Sequence, residues 1–105
     1  MIVLIGKDEF LKKNASAVRG LLEDLKSATA FYLESPREAR QLLIDRKMVR
    51  VNPDVYVGMN DYYRDPGLQV DVGALEKMQA FQIKAGFQKK NADVGALVDL
   101  SYLPK

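Results

Sequence analysis

From residue 15 onward, apolar residues recur at helical spacing. Val18, Leu21, Leu22, Leu25, Ala28, Phe31 and Tyr32 stand at offsets of 0, 3, 4, 7, 10, 13 and 14, which lays one apolar face along a helix over about 15–34. Arg19, Glu23, Asp24 and Lys26 fall mostly off that face. Asp8 is placed to cap a short helix over about 8–13, and Asn14 to cap the long one. Ser35-Pro36-Arg37-Glu38 combines a Ser N-cap, a Pro suited to the first helical position and a Glu that completes a capping box. It predicts a helix over about 36–47, with Ala39, Leu42 and Leu43 facing inward and Arg46-Lys47 suiting its C-terminus.

Asn52-Pro53-Asp54 repeats the cap-plus-Pro logic and opens a short helix over about 53–60, with Val55, Tyr56 and Met59 available for packing. Asp61 to Gly67 reads as a loop closed by a turn. Asp71 caps a helix over about 72–85 bearing Val72, Leu75, Met78 and Phe81. Gly86 follows as a left-handed stop, with Phe87 beyond it to pack back. A last helix is expected over about 93–100. The string Asp-Val-Gly-Ala-Leu occurs at 71–75 and again at 93–97. Two copies with different continuations read as two similarly capped helix starts, not a solenoid.

Only the amino terminus breaks the helical pattern. Ile2 to Ile5 is a continuous β-branched and Leu run ended by Gly6, which reads as a strand over about 2–5 buried on both faces. Val49-Arg50-Val51 alternates but is a fragment, and single strands are not stable alone. The expectation is a mostly α chain with one short N-terminal strand, a single partial domain over 1–105 that something outside it completes.

Composition narrows the chemistry. The 105 residues are 48% hydrophobic and 29% charged, with sixteen Lys+Arg against fourteen Asp+Glu. That is one ordinary domain's worth of chain, too apolar for intrinsic disorder and without the basic field nucleic acid would call for. There is no Cys and no His, which excludes disulfides, thiolate nucleophiles, imidazole bases and Cys- or His-anchored metal sites. The seven glycines never take dinucleotide or P-loop spacing. The apolar run near the start is far short of the ~20 residues of a crossing helix. With no basic region before it and Gly6-Lys7-Asp8-Glu9 after it, it does not read as an export signal either.

Several side chains admit a chemical reading beside a plain one. Phe31, Tyr32, Tyr56, Tyr62 and Tyr63 could line a groove, although aromatics at helical spacing more often form core and rim. The pairs Lys12-Lys13, Arg46-Lys47 and Lys89-Lys90 could grip phosphates, but they sit at helix ends among acids and read better as solvated termini. Glu23, Asp24, Asp45, Asp61, Asp65 and Asp99 have no spacing that favours an acid/base pair or a hard-metal site, and Asp71 and Asp93 are accounted for as caps. No catalytic, cofactor or metal residue is expected, and no ligand-contacting residue can be singled out. Ser101-Tyr102-Leu103-Pro104 reads as a tail folded back on its own domain more than as a docking motif.

The order of elements carries a resemblance. Lys-Asp-Glu-Phe-Leu-Lys-Lys-Asn (7–14), a long helix, Ser-Pro-Arg-Glu-Ala (35–39), Asp-Tyr-Tyr (61–63), Val-Asp-Val-x-x-Leu (70–75), Ala-Gly-Phe (85–87) and Val-Asp-Leu-Ser-Tyr-Leu-Pro (98–104) follow one another. The chain in this respect resembles the C-terminal third of the solute-binding proteins of ABC importers for taurine, aliphatic sulfonates, nitrate and thiamine-pyrimidine precursors. Ala15 departs from the pattern, which often has Pro there.

The resemblance implies a non-enzymatic role in import and the C-terminal part of an α/β periplasmic-binding-protein-like clamshell, with an extracytoplasmic location. The implied partners are the missing N-terminal lobes and the importer's membrane subunits, with the ligand-contacting residues mostly upstream. The alternative reading is a stand-alone helical interaction module, a homo-oligomer if the chain is complete. An unpaired Ile2–Ile5 edge would be its template for another chain.

Overall fold

A computed structural model describes residues 3–105 and shows six helices among them: α1 (Asp8–Lys13), α2 (Ala15–Glu34), α3 (Pro36–Asp45), α4 (Pro53–Gly58), α5 (Val72–Lys84) and α6 (Val94–Leu97). The mostly helical expectation holds. The starts of α1 to α5 fall where the caps and prolines predict. The ends of α3, α4 and α6 come two or three residues sooner, because Arg46, Met59 and Val98 already serve as C-caps.

The expected N-terminal strand is absent among the described residues. Val3, Leu4 and Ile5 have no regular secondary structure, and Ile5 is 92% exposed; Ile2 lies outside the described residues. The physical reason is the one the sequence exposed. A strand needs a neighbour's N–H and C=O groups, and Val49 to Val51, the other candidate, is irregular too. With no strand there is no sheet, so no α/β clamshell exists within the described residues.

Capping chemistry separates helix starts that work alone from those that share a junction. Asn52, Asp71 and Asp93 each accept a backbone N–H through the side chain, from Asp54 (3.0 Å), Ala74 (2.9 Å) and Ala96 (3.1 Å). The twin pentapeptides thus use one device twice. Ser35 makes no side-chain cap and the capping box does not form. It ends α2 and begins α3 at once, its N–H donating to the Phe31 carbonyl. Asn14 likewise turns its side chain back, donating to the Phe10 carbonyl at 2.9 Å and closing α1 instead of opening α2. Asp8 is the first residue of α1, not its cap, and pairs with Lys12 at 2.7 Å.

At the C-termini, Gly86 adopts φ +81° and its motif closes by Gly86 N–H to Ile83 (3.1 Å) and Phe87 N–H to Gln82 (2.9 Å). Phe87 does not pack back; it is 85% exposed. The end of α3 builds the same pair of bonds, Lys47 N–H to Ile44 and Met48 N–H to Leu43, but with Lys47 at φ 56°. A side chain there costs about 1–2 kcal/mol in the left-handed region. Replacing Lys47 with Gly is therefore expected to raise stability by about 0.5–1 kcal/mol net of the looser unfolded chain, read as a shift in urea midpoint. A loss of stability would contradict this account of the α3 stop.

Packing departs from the predicted faces. On α2 the half-buried residues are Ala15, Val18, Gly20, Leu22, Leu25, Lys26, Thr29 and Tyr32, whereas Leu21, Ala28 and Phe31 face solvent. On α3 Leu42 is exposed, while Arg40 and Ile44 turn inward beside buried Ala39 and half-buried Leu43. On α4 Val55 and Met59 are exposed and Tyr56 and Val57 are half-covered. On α5 Val72, Leu75, Gln79 and Ile83 form the covered side, leaving Met78 and Phe81 outside. Gln79 pins the loop before α6 by exchanging two hydrogen bonds with the Ala92 backbone (3.0 and 2.8 Å). The tail folds back, with Tyr102 beneath the Arg19 guanidinium of α2, 5.4 Å from its ring centre. Asp99, whose carboxyl is held below its ordinary range by the Ser101 side chain and N–H, also faces Arg19.

The result is an open arrangement of packed corners. Its radius of gyration is 17.0 Å, against about 13 Å for a compact domain of this length. The exposed surface is 8780 Å², roughly 2,900 Å² more than a folded monomer of this mass presents. Among the described residues Ala39, at 6% exposed, is the only buried apolar one. Among the described residues the α2 and α5 stripes do not meet each other and stay half-covered.

Candidate functional site

Among the described residues, buried polar chemistry concentrates at the corner where α2, α3 and α4 meet. Arg40, one position on from buried Ala39, is carried inward on α3 and is 5% exposed. Its guanidinium is engaged through all three nitrogens. Nε donates to the Tyr32 hydroxyl (2.8 Å), Nη1 to the carbonyls of Tyr56 (3.3 Å), Val57 (3.1 Å) and Met59 (2.6 Å), and Nη2 to Asp61 Oδ2 (3.4 Å). These carbonyls are the ones a helix C-terminus leaves unpaired, so Arg40 stoppers α4 and complements its dipole.

Asp61 is the shared acceptor. The Tyr32 hydroxyl donates to Oδ2, the Tyr62 N–H to Oδ1 (2.8 Å), and Arg64 Nη2 reaches Oδ2 at 3.1 Å. Arg64 is stacked between two rings, 4.2 Å from the centre of Tyr62 and 4.5 Å from that of Tyr32, and donates to the Tyr62 hydroxyl. The Asp61 side chain is only 18% exposed. The Tyr32 hydroxyl first, then the Tyr62 N–H and Arg64, pull its pKa down to about 2 against the opposing effect of burial.

Such a carboxylate is ionised and saturated with donors at neutral pH, which makes it a poor proton acceptor. Because its folded pKa lies below 3.8, its contribution is complete above about pH 4 and disappears as pH falls toward 2. The ceiling is about 2 kcal/mol, and screening at an open corner lowers it to about 1. An Asp61→Asn variant is expected to flatten that acid limb of the urea-stability profile; an unchanged limb would assign the acid sensitivity to other carboxylates.

The corner borders a groove of about 350 Å³ whose lining includes Tyr32, Leu33, Pro36, Arg37, Val57, Met59, Asp61, Tyr62 and Arg64. Of the aromatics singled out in the sequence, Tyr32, Tyr56 and Tyr62 come together here. Phe31 points elsewhere on α2, and Tyr63, 82% exposed, donates only to Asp65. Asp61 is the single sequence-stated carboxylate that enters the corner. Asp45 accepts from Gln41 (2.9 Å) and Asp65 organises its own turn by accepting from Gly67 and Gln69. Glu23, Asp24 and Asp99 lie apart, and among the described residues no three carboxylates converge as a metal site would require.

Lys12 is tied to Asp8, and Lys13, Arg46, Lys47, Lys89 and Lys90 are exposed. The residues that organise the corner, Arg40 and Arg64, do not stand out in the sequence. Arg40 shares the inward stripe of α3 with Ile44 at i+4, and a charged residue inside an apolar stripe was the available signal.

No helix among the described residues is long and apolar enough to cross a membrane. A scan against protein-family models, a search of curated proteins and a search of solved structures each give no match to this chain.

Proposed function

We propose that this chain is a non-catalytic C-terminal portion of a solute-binding module for ABC-type import of a small organic or anionic solute, of the sulfonate, nitrate or pyrimidine-like class. The observation that carries the reading is the uncovered surface. Half-buried apolar seams on α2 and α5, and an excess of roughly 2,900 Å² over a finished monomer, suit a helical layer that closes onto a larger body. The ordered motifs ending in Val98–Pro104 resemble those of one such body, a two-lobed extracytoplasmic clamshell. In it, this layer packs on the lobes and Tyr102–Pro104 secures the C-terminus against α2.

The test is to co-produce the chain with the polypeptide encoded upstream of it and to purify by a tag on one partner. A stoichiometric complex is expected, melting higher with taurine, nitrate or a hydroxymethylpyrimidine. A site at 100-fold ligand excess contributes about 2.7 kcal/mol. No association and no ligand-dependent shift would sink the reading. A second reading, self-pairing of a stand-alone helical module, is favoured by the exposed Val3–Ile5 run. It requires a mass of twice 11.8 kDa by light scattering across a dilution series, and a monomer throughout removes it.

A further inference from the structure

We infer that the outer face of α5 and the turn after it form a docking surface for an anionic lipid bilayer. Phe81 and Phe87 enter the headgroup boundary, and Lys77, Lys84, Lys89 and Lys90 meet the phosphates. Val72, Leu75, Gln79 and Ile83 form the covered side of α5, and at 3.6 residues per turn Lys77, Phe81 and Lys84 fall opposite them. Phe81 is 71% exposed, Met78 is exposed as well, and an open groove of about 290 Å³ runs between Lys77, Met78, Phe81 and Gln82. Past the Gly86 stop, exposed Phe87 is tied to the last turn of the helix by its N–H to the Gln82 carbonyl (2.9 Å). Gln88 donates to Gln79 Oε1 and to the Lys90 carbonyl, both at 2.7 Å, which holds the Lys89–Lys90 segment beside α5.

Charge decides the occupant. From Lys77 to Ala92 there are four lysines and no Asp or Glu, so this stretch carries +4 where the whole chain carries +2. All four are exposed, and none makes an ion pair among the described residues. Of the flanking acids, Asp93 caps α6 and Glu76 falls more than a quarter-turn off the Lys77–Phe81–Lys84 stripe. A second copy seated on this face would set lysine against lysine. Protein interfaces favour Arg, Tyr and Trp and are poor in Lys, and from 77 to 92 the only basic residue is lysine, with no Tyr or Trp. Flexible lysines around protruding apolar side chains suit a bilayer instead, since the rings sink to the acyl boundary while the ammoniums stay among the phosphates. This face is distinct from the half-buried side of α5 on which the role proposed above depends.

The chain has no Trp, so Phe81→Trp supplies a single fluorescent reporter in the full chain. At constant ionic strength, vesicles of phosphatidylglycerol and phosphatidylcholine are expected to blue-shift its emission, and brominated acyl chains to quench it. Tyr63→Trp, in the exposed loop after α4, should stay unquenched. In vesicle sedimentation Phe81→Ala should weaken binding about tenfold, and Lys84→Gln and Lys90→Gln about fivefold each; Lys13→Gln on α1 should leave it unchanged. These side chains are exposed, so helix content by circular dichroism should match across the variants. No binding to the mixed vesicles, equal binding to pure phosphatidylcholine, full binding by Phe81→Ala or equal quenching of Tyr63→Trp would each overturn the surface. Tighter binding to polyglutamate than to the vesicles would overturn it as well and give the face to an acidic protein. None of these outcomes touches the proposed role, which is read from complex formation with the upstream polypeptide.

Discussion

Replacing Arg40 with alanine is expected to dismantle the α3–α4 corner, at a cost of about 3 kcal/mol or more. The substitution strands three carbonyls at the end of α4 and removes the Tyr32 and Asp61 partners of one guanidinium. Leaving buried polar groups without their ion costs far more than the net worth of the intact pair. In hydrogen exchange, protection of the Tyr56 amide, which donates to the Asn52 carbonyl, should fall about a hundredfold. The Phe87 amide, at the distant end of α5, should be unaffected. Lysine at position 40 should recover little, since one ammonium cannot reach five acceptors spread over two segments. Equal protection of α4 in wild type and Arg40→Ala would show that the corner is held by something else.

The second large effect concerns the chain as a whole. Ordering each residue costs about 1–2 kcal/mol of backbone entropy, and a single buried alanine offsets almost none of it. Alone and dilute, the 105 residues are expected to retain helix locally yet melt over a broad range, with a urea m-value below about 1 kcal/mol per molar. Small-angle scattering should give a radius of gyration at or above 17.0 Å. Addition of the upstream polypeptide that the proposed function requires should convert this into one sharp transition, because apolar burial then grows by an interface of at least about 800 Å² per side. A monodisperse monomer with a sharp, cooperative melt and no partner would refute both the expectation and the functional reading that rests on the uncovered surface.

The helices were legible because their signals are local. Asn52, Asp71 and Asp93 each need only a side-chain oxygen and an N–H two or three residues on, and Gly86 needs only its own backbone freedom. Ser35 and Asn14 misled for a related reason. Each stands where one helix ends as the next begins, so one residue serves two termini and the preceding carbonyls compete for it. The strand expected over 2–5 is absent at the described residues 3–5 because a strand is a contract with a neighbour, which hydrophobic pattern in one segment cannot supply.

The amino-acid order by itself determined where the chain turns helical, that cysteine and histidine chemistry is absent, and which aromatics are available. It also raised the expectation of a partner layer, and the described residues form an open shape with a radius of gyration of 17.0 Å. Only the tertiary structure decided which side of each helix is covered, moving Leu21, Leu42 and Phe81 to solvent and Arg40 inward. Only it brought Tyr32, Arg40, Asp61 and Arg64 to one corner. The reason is range: a cap or a stop is settled within four residues, whereas the fate of Arg40 depends on carbonyls 16 to 19 residues away and on the angle at which two helices meet.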